Sequence, residues 1–341
     1  MVHVGVRLSW QIENTPKSER GVLVYWVNYK IMKINNKNKK IPIIIDTDPG
    51  HDDALAIMLL EKSGLFAIKA ITTVAGNSTI QNVTNNAKFI VDLVGCKAPI
   101  YSGAEKPLKR ELIKAVVHGD SGLDGVDVNV VNKLSGDAVE QIISIVRADP
   151  GEVSIVVIGP ETNIAEAFIK DPELPKLIKQ LVIMGGAIEV PGNKNRVGEF
   201  NIFVDPEAAD IVFRSAVKKI LVPLDVCNDV MLQLEDFERL NGSALYVPLM
   251  GMMDKYIKGI EAEENVSGAI MYDPLAAYYL VNPGAYDLEK MDIQIQTVSE
   301  LTRGMTVADR RNWGDKQPNV EVVRKIASEA FVRDFIDILK K

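Results

Sequence analysis

From Ile41 onward, short apolar runs rich in β-branched residues alternate with longer amphipathic stretches, and few folds accept that order. Ile41–Ile45 reads as a buried strand, and Ala54–Lys62 as the helix that follows it. Phe66–Val74 is the next strand. A helix over Thr79–Val94 places Ile80, Val83, Ala87, Ile90 and Val94 on one face. Ala138–Ala148 is a helix, Val153–Ile158 a strand, and another helix begins at Asn163. Gln180–Met184 and Lys219–Leu224 are strands, with a helix over Asp205–Ser215 between them. The pattern predicts an α/β fold: an open, mostly parallel sheet with helices on both faces and a Rossmann-like core.

Ligands of such sheets bind beyond the carboxyl ends of the strands. The polar residues fall there. Asp46–Asp53 follows the first strand, Gly76-Asn77 the second, and Gly159-Pro160-Glu161-Thr162-Asn163 the strand at Val153–Ile158. Gly185-Gly186 follows Met184, and Asp225 follows Lys219–Leu224. Each is an ordinary turn when taken alone. Together they predict one rim of one crevice.

Asp46-Thr47-Asp48-Pro49-Gly50-His51-Asp52-Asp53 crowds four carboxylates into eight residues with no Lys or Arg among them. One or two Asp residues are explained as helix caps, but four are not. A hard cation with oxygen ligands relieves the repulsion. His51 reads equally well as a turn residue facing away or as part of the site.

The net charge of −7 argues against a nucleic-acid partner, which needs a basic face. The two cysteines, Cys96 and Cys227, exclude a disulfide scaffold and suit a reducing, cytoplasmic compartment. No apolar stretch is long enough for a membrane span. Residues 1–31 read as an extension outside the core, with Met32 as a natural start. Residues 32–341 read as one domain.

Three further segments complete the pattern. These are the glycine-rich loop His118–Gly125, the acid–aromatic–amide run Glu199-Phe200-Asn201, and Tyr272-Asp273-Pro274 before a helix. With these residues, Ile43 to about Val332 resembles the nucleoside hydrolases, the inosine-uridine nucleoside N-ribohydrolase family. The resemblance implies the nucleoside hydrolase fold, a bound Ca²⁺, and hydrolysis of the N-glycosidic bond of ribonucleosides to ribose and free base. It also implies a homo-dimer or homo-tetramer.

Carried over residue by residue, the resemblance makes Asp48 a metal ligand and the general base for the attacking water. Asp53, Asp273 and the backbone carbonyl of Thr162 complete the metal site. Asp52, Asn77, Asn193, Glu199 and Asn201 would hold the ribose hydroxyls, and Met184 would line the sugar pocket. Phe200 and His118 would lie near the sugar and base. The chemistry is coherent in itself: the breaking C–N bond builds positive charge on the sugar, and carboxylates and amides stabilise it.

The chain departs from the family where Tyr272 stands in place of a common His before Asp273. A phenol is a weaker acid than imidazolium at pH 7. Tyr272 and His118 are the candidates for leaving-group activation. Gly119 occupies the place where purine-specific members have a stacking Trp, and Trp10, Trp26 and Trp313 fall elsewhere. This favours pyrimidine or broad specificity over purine preference. Met250, Met252 and Met253 read as packing, Tyr256 as part of a mobile flap over the base, and Arg303–Val307 with Asp309 and Arg310 as structural. Two rivals are an aspartyl-nucleophile phosphatase, which the Gly50–Asp53 continuation does not fit, and a non-catalytic nucleoside- or ribose-binding protein.

Overall fold

The structure, a computed structural model, describes residues 40–130, 136–309, 311 and 317–341. His3, Trp10, Trp26, Trp313, Arg310 and the extension at residues 1–31 lie outside the described residues. The strands β1 (Ile41–Thr47), β2 (Phe66–Thr73), β3 (Ile100–Ser102), β4 (Ser154–Val157), β5 (Gln180–Met184) and β6 (Lys219–Val222) are parallel neighbours. With β9 (Tyr286–Met291) and β12 (Val320–Ile326) they make an eight-stranded sheet in the order β3-β2-β1-β4-β5-β6-β12-β9. Only β9 runs antiparallel, against β12. Two-stranded ribbons, β7 (Met231–Leu232) with β8 (Ala269–Ile270) and β10 (Ile293–Ile295) with β11 (Thr306–Ala308), stand apart from the sheet.

Alternate residues of the central strands feed two separate cores. Ile43, Ile45, Val156 and Val182 point into one, and Ile44, Ile155, Val157 and Ile183 into the other. Burial on both faces explains why these strands read as unbroken apolar runs. The first core is closed by α1 (His51–Ser63), α2 (Ile80–Val94), α10 (Tyr246–Glu264), α11 (Tyr272–Val281) and α12 (Ser328–Leu339). The second is closed by α3 (Ala138–Ala148), α4 (Thr162–Lys170), α5 (Leu174–Leu177) and α7 (Pro206–Arg214). Short helices α6 (Phe200–Val204), α8 (Leu224–Cys227) and α9 (Leu234–Phe237) complete the order.

The α/β expectation holds, and several element ends move. β1 continues past Ile45 because Asp46 and Thr47 pair with Thr72 and Thr73 of β2. α1 begins at His51, not Ala54. The Gly50 N–H donates to Asp53 Oδ2 at 2.9 Å, so Asp52 and Asp53 of the motif lie in the helix's own first turn. β6 stops at Val222, because Pro223 ends the ladder and Leu224 enters α8. α7 begins one residue later than expected, with Asp205 as its cap, accepting from the Ala208 N–H at 3.1 Å.

The strand order reverses between β1 and β4, which places a crevice outside their carboxyl ends. Asp48 follows β1 into that crevice, and Gly159 faces it from the end of β4. Among the described residues no helix is long and apolar enough to cross a membrane.

Candidate active site

Asp48 is packed between glycines. A Cβ on Gly76 would sit 2.1 Å from Asp48 Oδ2, and one on Gly159 would sit 2.7 Å from Oδ1. Neither glycine has a positive φ, so close approach explains both. The Asn77 N–H donates to Asp48 Oδ2 at 2.6 Å, while Oδ1 is buried without a hydrogen-bond partner. Burial, then repulsion from Asp53 and Asp52, raises the Asp48 carboxyl well above the ordinary carboxylate range.

Oxygens of Asp52, Asp53 and Asp273 lie within 4.8 Å of one another, and all three residues are buried. Asp53 accepts from the Gly50 N–H, from the Thr47 hydroxyl, and from Asn77 Nδ2 at 3.1 Å. Asp52 Oδ1 is a second buried oxygen without a partner. Burial first, and the neighbouring carboxylates second, pushes Asp52 and Asp273 well up, and burial raises Asp53 too. Among the described residues no Lys or Arg side chain bonds to the three. Orphaned buried oxygens and an all-oxygen donor set fit a hard divalent cation. Asp48 stands beside this triad rather than within it. Asp52, which the family resemblance assigned to the sugar, is part of the triad. Thr162 begins α4, and its hydroxyl donates to Asp205 Oδ2 at 2.8 Å.

A cavity of about 650 Å³, counted with its mouth, opens over these acids. It is lined by Asp52, Asn77, His118, Met184, Asn193, Glu199, Phe200, Asn201, Tyr272 and Asp273. The long sequence separation between Asp52 and Asp273 is closed by α1 packing on α11. Glu199 is tied down by the N–H groups of Asn201 at 2.9 Å, Gly186 at 3.0 Å and Ile202 at 3.1 Å. Asn193 Oδ1 accepts from the Phe200 N–H at 3.0 Å, and Asn201 Nδ2 donates to the Met184 carbonyl at 3.3 Å. Asp225 is not on this rim. Its carboxylate accepts the N–H groups of Ile188 at 2.9 Å and Glu189 at 2.8 Å, bracing the loop after β5.

His51 is buried beneath the site. Its Nδ1 faces His118 Nδ1 at 3.0 Å, and its Nε2 donates to the Asp124 carbonyl at 2.8 Å. Burial lowers His51 to about 4, and burial with His51 alongside drives His118 well below the ordinary imidazole range. Both rings are therefore uncharged at neutral pH. His118 Nε2 lies 3.8 Å from Asp52 Oδ1. Tyr256 corrects the expectation of a mobile flap. It lies in α10, fully buried and stacked on both histidine rings, with its hydroxyl donating to the Ile270 carbonyl at 3.0 Å. Met252 and Met253 are buried on the same helix. Arg303 donates to the Val204 carbonyl at 3.0 Å and stacks on Phe203.

Lys194, Ile260, Glu263 and Glu264 also line the cavity, and no sequence motif marks them. Glu264 is visible only through its partner: the Tyr272 hydroxyl donates to Oε1 at 3.0 Å and Oε2 at 2.9 Å.

The sequence matches the inosine-uridine preferring nucleoside hydrolase family over residues 43–333, nearly all of the sheet and its helices. The chain belongs to this family. A pyrimidine-specific ribonucleoside hydrolase RihA from a Shewanella species is 39% identical over 87% of this hydrolase and 96% of its own length. The solved plant nucleoside hydrolase PpNRh1 superposes with a TM-score of 0.84 at 30% identity, over 89% of this chain and 99% of that one. A purine-preferring ribonucleoside hydrolase from Gardnerella vaginalis gives 0.82, also at 30%, over 88% and 98%. This hydrolase is thus a glycosidase acting on the N-glycosidic bond of ribonucleosides, and its crevice holds a buried Asp cluster suited to a metal ion.

Proposed function

We propose that this nucleoside hydrolase is a calcium-dependent cytoplasmic enzyme of residues 32–341, acting as a homo-oligomer on pyrimidine nucleosides or on both base classes. The observation that carries the reading is the convergence of Asp52, Asp53 and Asp273 within 4.8 Å of one another under an open cavity. Asp48, Asp53, Asp273 and the Thr162 carbonyl would hold the cation, with Asp52 reaching both it and the sugar. When bound, the cation supplies Lewis-acid polarisation of water and an anchor for the vicinal hydroxyls.

Asp48 takes the proton of the attacking water through its unpartnered Oδ1. Asn77 holds the other oxygen, so the base is already oriented before substrate arrives. Asp52, Asn77, Asn193, Glu199 and Asn201 grip the ribose, and their oxygens stabilise its developing positive charge. Met184 and Phe200 give the sugar an apolar wall. His118, uncharged, lines the cavity with its Nε2 3.8 Å from Asp52 Oδ1, close to the sugar and base. A gain of ~10⁶ needs ~8 kcal/mol of barrier reduction. General-base help supplies ~10²–10⁴ of that factor, so sugar-side electrostatics must supply most of the rest.

Pyrimidine or broad preference is supported by the pyrimidine specificity of the Shewanella relative. A reducing-sugar assay across inosine, adenosine, guanosine, uridine and cytidine, with and without chelator, tests the proposal. We expect ribose release from uridine or cytidine that chelator abolishes and Ca²⁺ restores. Release from purines alone, or release indifferent to chelator, would overturn it.

A further inference from the structure

The departing base needs a proton, and the acids that line the cavity are mostly committed. Asp52 and Asp273 belong to the cation-binding triad, and both oxygens of Glu199 accept backbone N–H groups. His118 Nδ1 is engaged by His51. Glu263 is exposed at the mouth. Glu264, at the end of α10, is half-buried and faces Tyr272, the first residue of α11. The Tyr272 hydroxyl lies 2.9 and 3.0 Å from the two Glu264 oxygens, so its proton is spent on that carboxyl. Tyr272 is thus placed to orient Glu264, not to serve the base itself.

We propose that Glu264 is the acid that protonates the leaving base, with Tyr272 as the residue that positions its carboxyl. The proposal rests on the nucleoside hydrolase reading above. The bond between the anomeric carbon and the base nitrogen breaks, and its electron pair leaves with the base. The Glu264 proton passes to a ring nitrogen or carbonyl oxygen of the base. The water oxygen bonds the anomeric carbon and gives its proton to Asp48. Solvent then returns a proton to Glu264 and removes one from Asp48. Burial raises the Glu264 carboxyl above its ordinary range and outweighs the opposing hydrogen bond from Tyr272, which favours the proton-bearing form the step requires.

The test compares nucleosides with 4-nitrophenyl β-D-ribofuranoside, whose leaving group departs as a stable anion without protonation. Glu264→Gln should lower kcat with the best nucleoside by ~10²–10⁴-fold, the span of general-acid help, and with the nitrophenyl riboside by less than about tenfold. Tyr272→Phe should show the same split at smaller size, and carries the comparison if Glu264→Gln does not fold. Equal losses on both substrates, or undiminished nucleoside turnover in Glu264→Gln, overturns the proposal. A wild-type protein that cleaves neither substrate overturns the nucleoside reading and this inference with it.

Discussion

The backbone N–H of Asn77 donates to Asp48 Oδ2 at 2.6 Å, tying the loop after β2 to the turn after β1. Residues 29 positions apart thereby fix one carboxyl, with Gly76 and Gly159 pressed against it.

Asp48→Ala should lose nearly all turnover in calcium, by ~10²–10⁴-fold in kcat from the base alone. Gly76→Ala should lower kcat at least about tenfold while Asp48 is still present, because its Cβ would meet Asp48 Oδ2 at 2.1 Å and push the base out of line. Steady-state kinetics on both variants check this. Near-normal kcat in Asp48→Ala would remove Asp48 from the mechanism.

Burial lifts Asp48, Asp52, Asp53 and Asp273 above their unfolded values, so the cation-free folded chain keeps protons that the unfolded chain releases. The stability this contributes is fully present below about pH 4, the unfolded carboxylate value, and is lost as pH rises through the folded values. A cation replaces those protons, so its stabilising effect grows with pH. At calcium ~100 times its Kd the gain is ~2.7 kcal/mol, or about 5 °C in Tm. Thermal melts in Ca²⁺ and in chelator, at pH 5 and pH 8, should show the larger difference at pH 8. An equal or absent difference would count against a cation on these acids.

Glu161 is fully buried, and neither carboxyl oxygen has a hydrogen-bond partner among the described residues. Burial, reinforced by Glu199, Asp205 and Asp46, pushes it well above the ordinary range. An orphaned buried polar group costs ~1–3 kcal/mol, so Glu161→Leu should stabilise the chain and raise Tm by about 2 °C or more. A lower Tm would mean the carboxyl has a favourable role.

The sheet was legible because its strands are buried on both faces and read as apolar runs. The element ends were not, because they depend on neighbours. Asp46 and Thr47 extend β1 through their pairing with β2, and Asp53 starts α1 early by capping Gly50. The density of acids in Asp46–Asp53 pointed to the site. Tyr256, read as a flap, proved to be its buried floor, since one aromatic in an amphipathic helix does not reveal which face is covered. Glu264 had no motif at all.

By itself the sequence determined the α/β class, the acid-rich turn after the first strand and the family, because these depend on local pattern and spacing. Tertiary structure decided which oxygens share one space: Asp52 and Asp53 with Asp273, and Glu264 with Tyr272. Those meetings depend on how α1, α10 and α11 pack over the sheet. Packing sums many weak contacts between residues distant in sequence, and no local stretch records it.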